Sequence, residues 1–542
     1  MKNFFKKTSD LIFLKQSGIF SSASLIAFFI GLTSFFGFIR YRVLASYFYK
    51  DQLDIFFASF KIPDLIYEIL ITGALTTTFI PLYLKYKDNK ENLNINVSSI
   101  INFIFLILTV FIIVCFIFMN KIVYYLTPGY DLNKTQQIVN FSRLLLLSQL
   151  PFFVFSSILS GISQANKIFF LSGLAPVIYN LSIIIFTVFF HKELSLMAPI
   201  LGVIIGAFFL FVIQLPILKK TDFCYRLIIK KTDGLRQFIR LVIPRTLATI
   251  SSQIDAMIDL VLASLLGAGA YTIFYLAQHL QFLPVSVIGV ALGQASLPYL
   301  TELYQNKKIN ELKKIITDSI LNLFFLTIPL AIFFIFARTP LVRLFFGGQK
   351  FDWEATVLTA ITLSCFAIGL PFHTIYYFLT RCFYALMDSK TPFFIGFFSI
   401  LINIIFSLFF VFYLNLPVWS LAISFSIAII INSLSLFIFL NKKIDFLNIK
   451  EIIFDVLKIL FSSLISGIIA YYLMRFLDGF IFKTIFTINI FFLLLVIFLI
   501  YFFLYIFVSW LITVRQIYLI SKLILKAKEY QKKIIELYTK YE

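Results

Sequence analysis

Apolar runs of about twenty residues recur along the chain, separated by short polar stretches. A helix needs about twenty such residues to cross ~30 Å of hydrocarbon. On that rule the sequence predicts about fourteen membrane-spanning helices, near 19–45, 56–83, 96–119, 138–161, 168–190, 195–218, 237–265, 270–300, 315–337, 354–384, 391–413, 417–440, 451–474 and 484–512. The largest connection, 219–236, reads as a cytoplasmic linker and a hinge between halves. The tail, 513–542, keeps helical apolar spacing with lysines between, which predicts an amphipathic segment on the inner leaflet.

Composition agrees with the pattern. The chain is 61% hydrophobic and 13% charged, with a mean hydropathy of +0.97, against the roughly 45–50% apolar usage of soluble domains. The fold class is therefore all-α, a polytopic membrane protein. The first apolar run is long and lacks a small-residue cleavage site, so it reads as a retained span and not a signal peptide. Cys115, Cys224, Cys365 and Cys382 have neither pairing nor metal-ligand spacing and read as small apolar residues.

A net charge of +20 raises the question of nucleic acid, and the placement of the charges answers it. With the N-terminus inside, about two-thirds of the 46 Lys/Arg fall in loops on the cytoplasmic side and about a fifth in the opposite loops. Topology and anionic headgroups account for the basic balance without nucleic acid, and both termini are expected in the cytoplasm.

The halves resemble one another. Leu150–Ala165 aligns without a gap on Leu370–Ala385, sharing Leu-Pro-Phe and a later Leu and Ala. Ala74–Pro81 aligns on Ala291–Pro298 at nearly the same offset, sharing the Ala-Leu to Pro spacing. Six spans separate the copies, and six is even, so the copies cross in the same direction. The expected organisation is an N-lobe of six spans (1–218), the linker (219–236), a pseudo-symmetric six-helix C-lobe (237–440), two further helices (441–512) and the tail.

Charges inside spans are costly and mark cavities, pathways or pairs. On the seventh span Arg245, Thr249, Ser252, Ala256 and Asp259 share one helical stripe, with Asp255 at its edge. An arginine there snorkels or faces a cavity; the aspartates pair with neighbouring helices or serve a site. The first span ends in G-F-I-R-Y-R with Arg40 and Arg42, and the second opens F-K-I-P-D-L-I-Y-E with Lys61, Asp64 and Glu68. Arg40 is the deeper of the two arginines, and its guanidinium fork suits a diphosphate. Arg42 can instead reach the interface, and Lys61 can pair with Asp64 at i+3. His279 precedes Pro284; a lone histidine is a hydrogen-bonded structural residue or a proton relay. Arg143 and Arg381, toward the cytoplasmic ends of their spans, read as anchors or as an entry site for a headgroup. No zinc spacing, G-x-S-x-G or phosphate-cradling glycine loop is present in the sequence, which argues against an enzyme.

Several stretches carry a resemblance: G-F-I-R ending at Arg40, D-I-F-F-A-S-F-K-I-P from Asp54 to Pro63, Gly73-Ala74 with Phe79-Ile80-Pro81, Pro244-Arg245, Gln253-Ile254, Asp259, G-V-A-L-G from Gly289 to Gly293, Leu297-Pro298, and R-C-F-Y-A-L-M-D from Arg381 to Asp388 with Thr391-Pro392. Together they resemble the MurJ (MviN) lipid II flippases of the multidrug/oligosaccharidyl-lipid/polysaccharide exporter superfamily. The resemblance implies two six-helix lobes plus two helices forming a groove for a polyprenyl tail, in a bacterial plasma membrane. It implies lipid II as the substrate, carried from inner to outer leaflet by alternating access, and cell-wall synthesis proteins as partners. It also implies a cavity whose arginines bind the diphosphate, with Arg40 in that role on the first span; Arg42, Lys61, Arg245, His279 and Arg381 are the further candidate cations for that anion. Asp259 and Asn403, with Asp255, fall where some members hold a sodium ion; no other cofactor is implied. Ser34, Tyr41, Thr72 and Gln278-His279 depart from the charges usual in the family. The alternatives are a flippase for another polyprenyl-diphosphate oligosaccharide, of O-antigen or capsule type, and a cation-coupled drug antiporter; a membrane transferase ranks behind both.

Overall fold

The structure, a computed structural model, describes residues 19–72, 78–221, 223–444, 447–480 and 487–517. The amphipathic tail expected on the inner leaflet lies almost wholly outside the described residues, as does the basic N-terminus. Every regular element among the described residues is helical. In chain order these are α1 (Ile19–Tyr47), α2 (Lys50–Ser59), α3 (Lys61–Tyr67), α4 (Ile80–Tyr86), α5 (Lys90–Leu126), α6 (Leu132–Ala165), α7 (Phe170–Leu194), α8 (Met197–Val212), α9 (Asp233–Leu265), α10 (Ala270–Pro284), α11 (Ala291–Gln305), α12 (Ile309–Phe336), α13 (Arg338–Phe346), α14 (Trp353–Ala385), α15 (Lys390–Leu408), α16 (Trp419–Lys443), α17 (Ile449–Phe480) and α18 (Thr487–Leu511).

Twelve helical stretches among the described residues are long and apolar enough to cross a membrane. The two expected spans missing from that set are the second and the seventh. Both are helical, as α2–α4 and α9, and both carry the interior charges: Lys61, Asp64 and Glu68 on one, Arg245, Asp255 and Asp259 on the other. The fourteen-span expectation thus differs from the apolar count only at the helices that hold charge.

The internal repeat reappears in the backbone. π-Helical turns occupy Glu68–Thr72 and Val285–Val290, and their first residues are related by the same offset as Ala74 and Ala291. Lys167 and Met387 have φ of 61° and 58°, and Ser195 and Asn415 have 47° and 49°; both pairs keep the offset of Leu150 and Leu370. Pro151 and Pro371 lie inside α6 and α14 in that same register. A left-handed non-glycine residue and a π turn each cost free energy, so their recurrence at fixed spacing reflects a shared local design.

Two compact units emerge, residues 1–272 with 345–355, and residues 273–344 with 356–542. In the first, Gly202 and Gly206 of α8 lie against α7, where a Cβ on Gly202 would come within 2.8 Å of the Ile183 backbone. Small residues four apart let two membrane helices approach closely. Helix α9, assigned by the sequence pattern to the second lobe, packs on α5 and groups with the first unit.

In the second unit α18 is fixed to α12 through a proline. Pro329 has no N–H for the Phe325 carbonyl one turn earlier, and the Tyr505 hydroxyl donates to that carbonyl at 2.9 Å. Tyr501 donates to the Pro329 carbonyl at 3.0 Å. Tyr505→Phe should strand the Phe325 oxygen in a buried site at a cost of about 1–3 kcal/mol, read as a lower thermal midpoint of the detergent-solubilised protein.

Candidate functional site

The charges of α3 and of the π turn that continues it follow at i, i+3 and i+7: Lys61 and Asp64 on α3 and Glu68 at the first residue of the turn. Lys61 lies within electrostatic reach of Asp259, Asp64 and Asp255, and its ammonium sits 5.6 Å from the centre of the buried Tyr271 ring. Asp259 is buried and Asp255 half-buried, one turn apart on α9. On α1 the Arg40 guanidinium lies 4.6 Å from the Tyr41 ring centre and within electrostatic reach of Asp64 and Tyr179. Asp64 is solvent-accessible, and a carboxylate on a membrane helix that meets solvent lines a water-filled space, because facing lipid would cost several kcal/mol. The first unit thus gathers Arg40, Lys61, Asp64, Glu68, Asp255 and Asp259 from three separate helices into one cluster.

That cluster differs from an unopposed cationic clamp. Lys61 is shared among three carboxylates, and Arg40 faces Asp64. Such a mixed cluster lowers the cost of keeping both cations inside the membrane.

The remaining candidates fall elsewhere. Arg245 stands on α9, but its side chain lies outside the described residues. Arg42 is half-buried on α1. His279 holds its Nδ1 at 2.9 Å from the Tyr275 carbonyl oxygen; a carbonyl only accepts, so Nδ1 carries the proton and the ring is tied to its own helix. Arg143 donates to the Phe116 carbonyl and lies 5.0 Å from that ring, as an anchor would. Arg381 lies 5.5 Å from the Tyr384 ring, beside Gly293. Asn403 is buried on a face of α15 that also carries buried Ser399 and Ser407; Ser399 donates to the Ala428 carbonyl, and Ser407 hydrogen-bonds Ser424 on α16. Asp259 and Asn403 belong to different units, and no group of three or more His, Cys, Asp or Glu spaced for a metal occurs among the described residues. Of the cysteines, Cys365 and Cys382 are buried as expected, while Cys224 is exposed, because the chain there is extended along α5 instead of entering a core.

Sequence reasoning missed His373. It is buried on α14, 3.3 Å from the Gln281 amide, with the rings of Tyr377 and Phe425 around it. No spacing signal links residues 281 and 373; only the packing of α10 on α14 does.

Two acids in the most specific motifs are caps. Asp54, fully buried, accepts from the Gly269 and Thr272 amides at 2.6 and 2.7 Å and from the Thr272 hydroxyl at 2.7 Å. Gly269 has φ +82°, which glycine adopts without strain, so its N–H can turn toward the carboxylate. Asp388 accepts from the amides of Lys390 and Thr391, from the Thr391 hydroxyl, and from Lys443 at 2.6 Å. D-x-x-T-P is therefore a helix start, with Pro392 in the first turn of α15 where its missing N–H costs nothing. The glycines of G-V-A-L-G serve packing: a Cβ on Gly289 would come within 2.8 Å of the Thr374 carbonyl oxygen.

Burial alone would raise the Asp388 pKa, but the Lys443 and Thr391 hydrogen bonds outweigh it and hold the carboxyl down at about 2. A pKa below the unfolded value means the carboxylate stabilises the fold above about pH 4 and loses that contribution as pH falls toward 2. Asp388→Ala should lower stability by about 1–2 kcal/mol at neutral pH. The gap between variant and wild-type melting should close across that acid window.

A helical bundle that keeps charges of opposite sign within electrostatic reach of one another on a water-accessible interior face has the build of a membrane transporter. The family model "Lipid II flippase MurJ" matches residues 44–492. The chain is 28% identical over 457 residues to the probable lipid II flippase MurJ of Buchnera aphidicola subsp. Schizaphis graminum, covering 83% of this chain and 88% of that one. It is 27% identical over 438 residues to the lipid II flippase MurJ of Burkholderia cenocepacia, covering 78% and 84%. A solved structure described as lipid II flippase MurJ in an inward closed conformation superposes with a TM-score of 0.74 at 26% identity, covering 90% of this chain and 98% of that one. An inward-facing multidrug transporter of the MATE family matches at 0.66 with 13% identity over 76% of this chain and 94% of that one, a likeness of fold. This chain belongs to the MurJ lipid II flippase family. It is a multi-pass bacterial membrane protein of a transporter family, not of a catalytic one.

Proposed function

We propose that this protein carries lipid II, an undecaprenyl diphosphate bearing the cell-wall disaccharide-peptide, from the inner to the outer leaflet by alternating access of two six-helix lobes. The family match across 44–492 carries the reading, since it spans both α3 and α9 with their charges. Unaided, the lipid would drag phosphates and sugars through hydrocarbon at several kcal/mol or more per uncompensated charge. A water-accessible interior with cations removes that barrier.

In this proposal Arg40 meets the diphosphate, while Asp255 and Asp259 hold Lys61 in place. The charge asymmetry of the loops supports both termini in the cytoplasm. The test is rescue: expressed in a bacterium depleted of its own lipid II flippase, the protein should restore growth and outer-leaflet lipid II. Rescue of a capsule or O-antigen flippase mutant in its place would overturn the substrate assignment.

A further inference from the structure

The segment that the sequence suggests is a hinge is fastened down. Residues 223–232 run extended along α5, whose first turns present a ladder of polar side chains. Asn94 accepts from the Cys224 amide at 2.8 Å, Ser98 from the Arg226 amide at 2.9 Å, Ser99 from the Lys230 amide at 3.2 Å and Asn96 from the Gly234 amide at 3.1 Å. Asn102 donates to the carbonyls of Arg226 and Ile228, both at 2.9 Å, and accepts from the Tyr225 hydroxyl. Among the described residues the strap makes only two internal backbone hydrogen bonds, Ile228 N–H to the Arg226 carbonyl and Thr232 N–H to the Lys230 carbonyl, and the α5 amides and hydroxyls satisfy further groups. The result is a strap.

Beneath the strap lies a cavity of about 670 Å³ between α5, α6 and the end of α8, lined by Ile101, Phe105, Phe155, Ile158, Phe211 and Leu227 among others. It opens outward past Leu106, 54% exposed, and Leu227, 87% exposed. Two of its polar side chains, Asn102 and Tyr225, are spent on the strap. Along the strap, exposed Tyr225, Leu227 and Ile229 are interleaved with exposed Arg226 and Lys230, with Lys219 and Lys231 at its ends. Alternating apolar and basic side chains suit the boundary between hydrocarbon and anionic headgroups, on the side that the loop charges assign to the cytoplasm.

We propose that this cavity is a binding site for one anionic phospholipid of the inner leaflet, an acyl chain filling the space under the strap and the phosphodiester lying against Arg226 and Lys230. The volume falls in the ~300–1,000 Å³ range of specific small-molecule sites; the lining is apolar apart from Asn102, Thr109 and Tyr225, and Arg226 and Lys230 stand on the strap next to lining residues Tyr225, Leu227 and Ile229. None of its lining residues belongs to the cluster around Lys61, so occupancy is separable from the transport reading.

Native mass spectrometry of the protein released from nanodiscs of equal phosphatidylglycerol and phosphatidylcholine tests this. The wild type should retain one phosphatidylglycerol with a preference of about tenfold, the effect of one to two basic side chains at an anionic surface. Arg226→Gln with Lys230→Gln should keep a lipid but lose the headgroup preference. Leu106→Trp at the mouth, and independently Thr109→Trp within, should empty the site while the protein elutes as the wild type does. Equal retention of both lipids by the wild type, retention unchanged in both tryptophan variants, or one-for-one displacement by undecaprenyl phosphate would each overturn the proposal.

Discussion

Replacing Lys61 by methionine is expected to destabilise the protein strongly and to abolish rescue of a flippase-depleted host. The side chain is the one described cation within reach of Asp259, Asp64 and Asp255 together. Removing it takes away the cation that acts on Asp64 from one helix and on Asp255 and the buried Asp259 from another. Deleting one partner of a direct buried ion pair costs about 3–5 kcal/mol; Lys61 acts on Asp259 through space and water reaches Asp64, so the cost here lies at or below the lower end of that range. The cost should appear as a lower thermal midpoint and reduced abundance in the membrane. Adding Asp259→Asn to Lys61→Met should return more than half of the lost stability, because the second change removes the stranded charge. If the two changes are simply additive, Lys61 and Asp259 do not interact and the cluster is not electrostatically coupled.

The sequence made the spans legible because lipid imposes a single rule, a long apolar helix, and it made the interior charges legible because they break that rule. Lys61, Asp255 and Asp259 were readable one by one; that α3 and α9 bring them together was not, since the two helices lie in different copies of the sequence repeat and no periodicity reports on contacts between helices. The internal repeat was visible as two short matches, and the π turns and left-handed residues at the same offsets add a backbone record that side-chain identity does not carry. That residues 223–232 are strapped to α5 was not legible for a related reason. Asn94, Asn96, Ser98, Ser99 and Asn102 look like an ordinary polar helix start until the extended chain lying on them is seen. Asp54 and Asp388 carry the converse lesson, because acids inside specific motifs invite a binding role, yet the hydrogen bonds they accept make them helix caps. His373 gave no signal, because a histidine in an apolar run looks the same whether or not a glutamine on another helix meets it.

Arg40→Ala is expected to abolish rescue while leaving the protein in the membrane at normal abundance. The guanidinium presents a planar fork of donors, and hydrogen bonds of that kind to a charged group are worth about 1.5–3 kcal/mol, so its loss should weaken capture of a diphosphate by about ten- to a hundredfold. Arg40→Lys restores the charge but not the paired geometry and should rescue only in part. Asp64 supplies the control that separates binding from architecture, since it lies within reach of Arg40. If Arg40 served only to neutralise that carboxylate, Arg40→Ala combined with Asp64→Asn would balance the charge and restore growth. If Arg40 meets the substrate, the double variant should stay as inactive as Arg40→Ala alone while its thermal midpoint returns toward that of the wild type. Growth restored by the double variant would assign Arg40 to the fold and remove it from the diphosphate site.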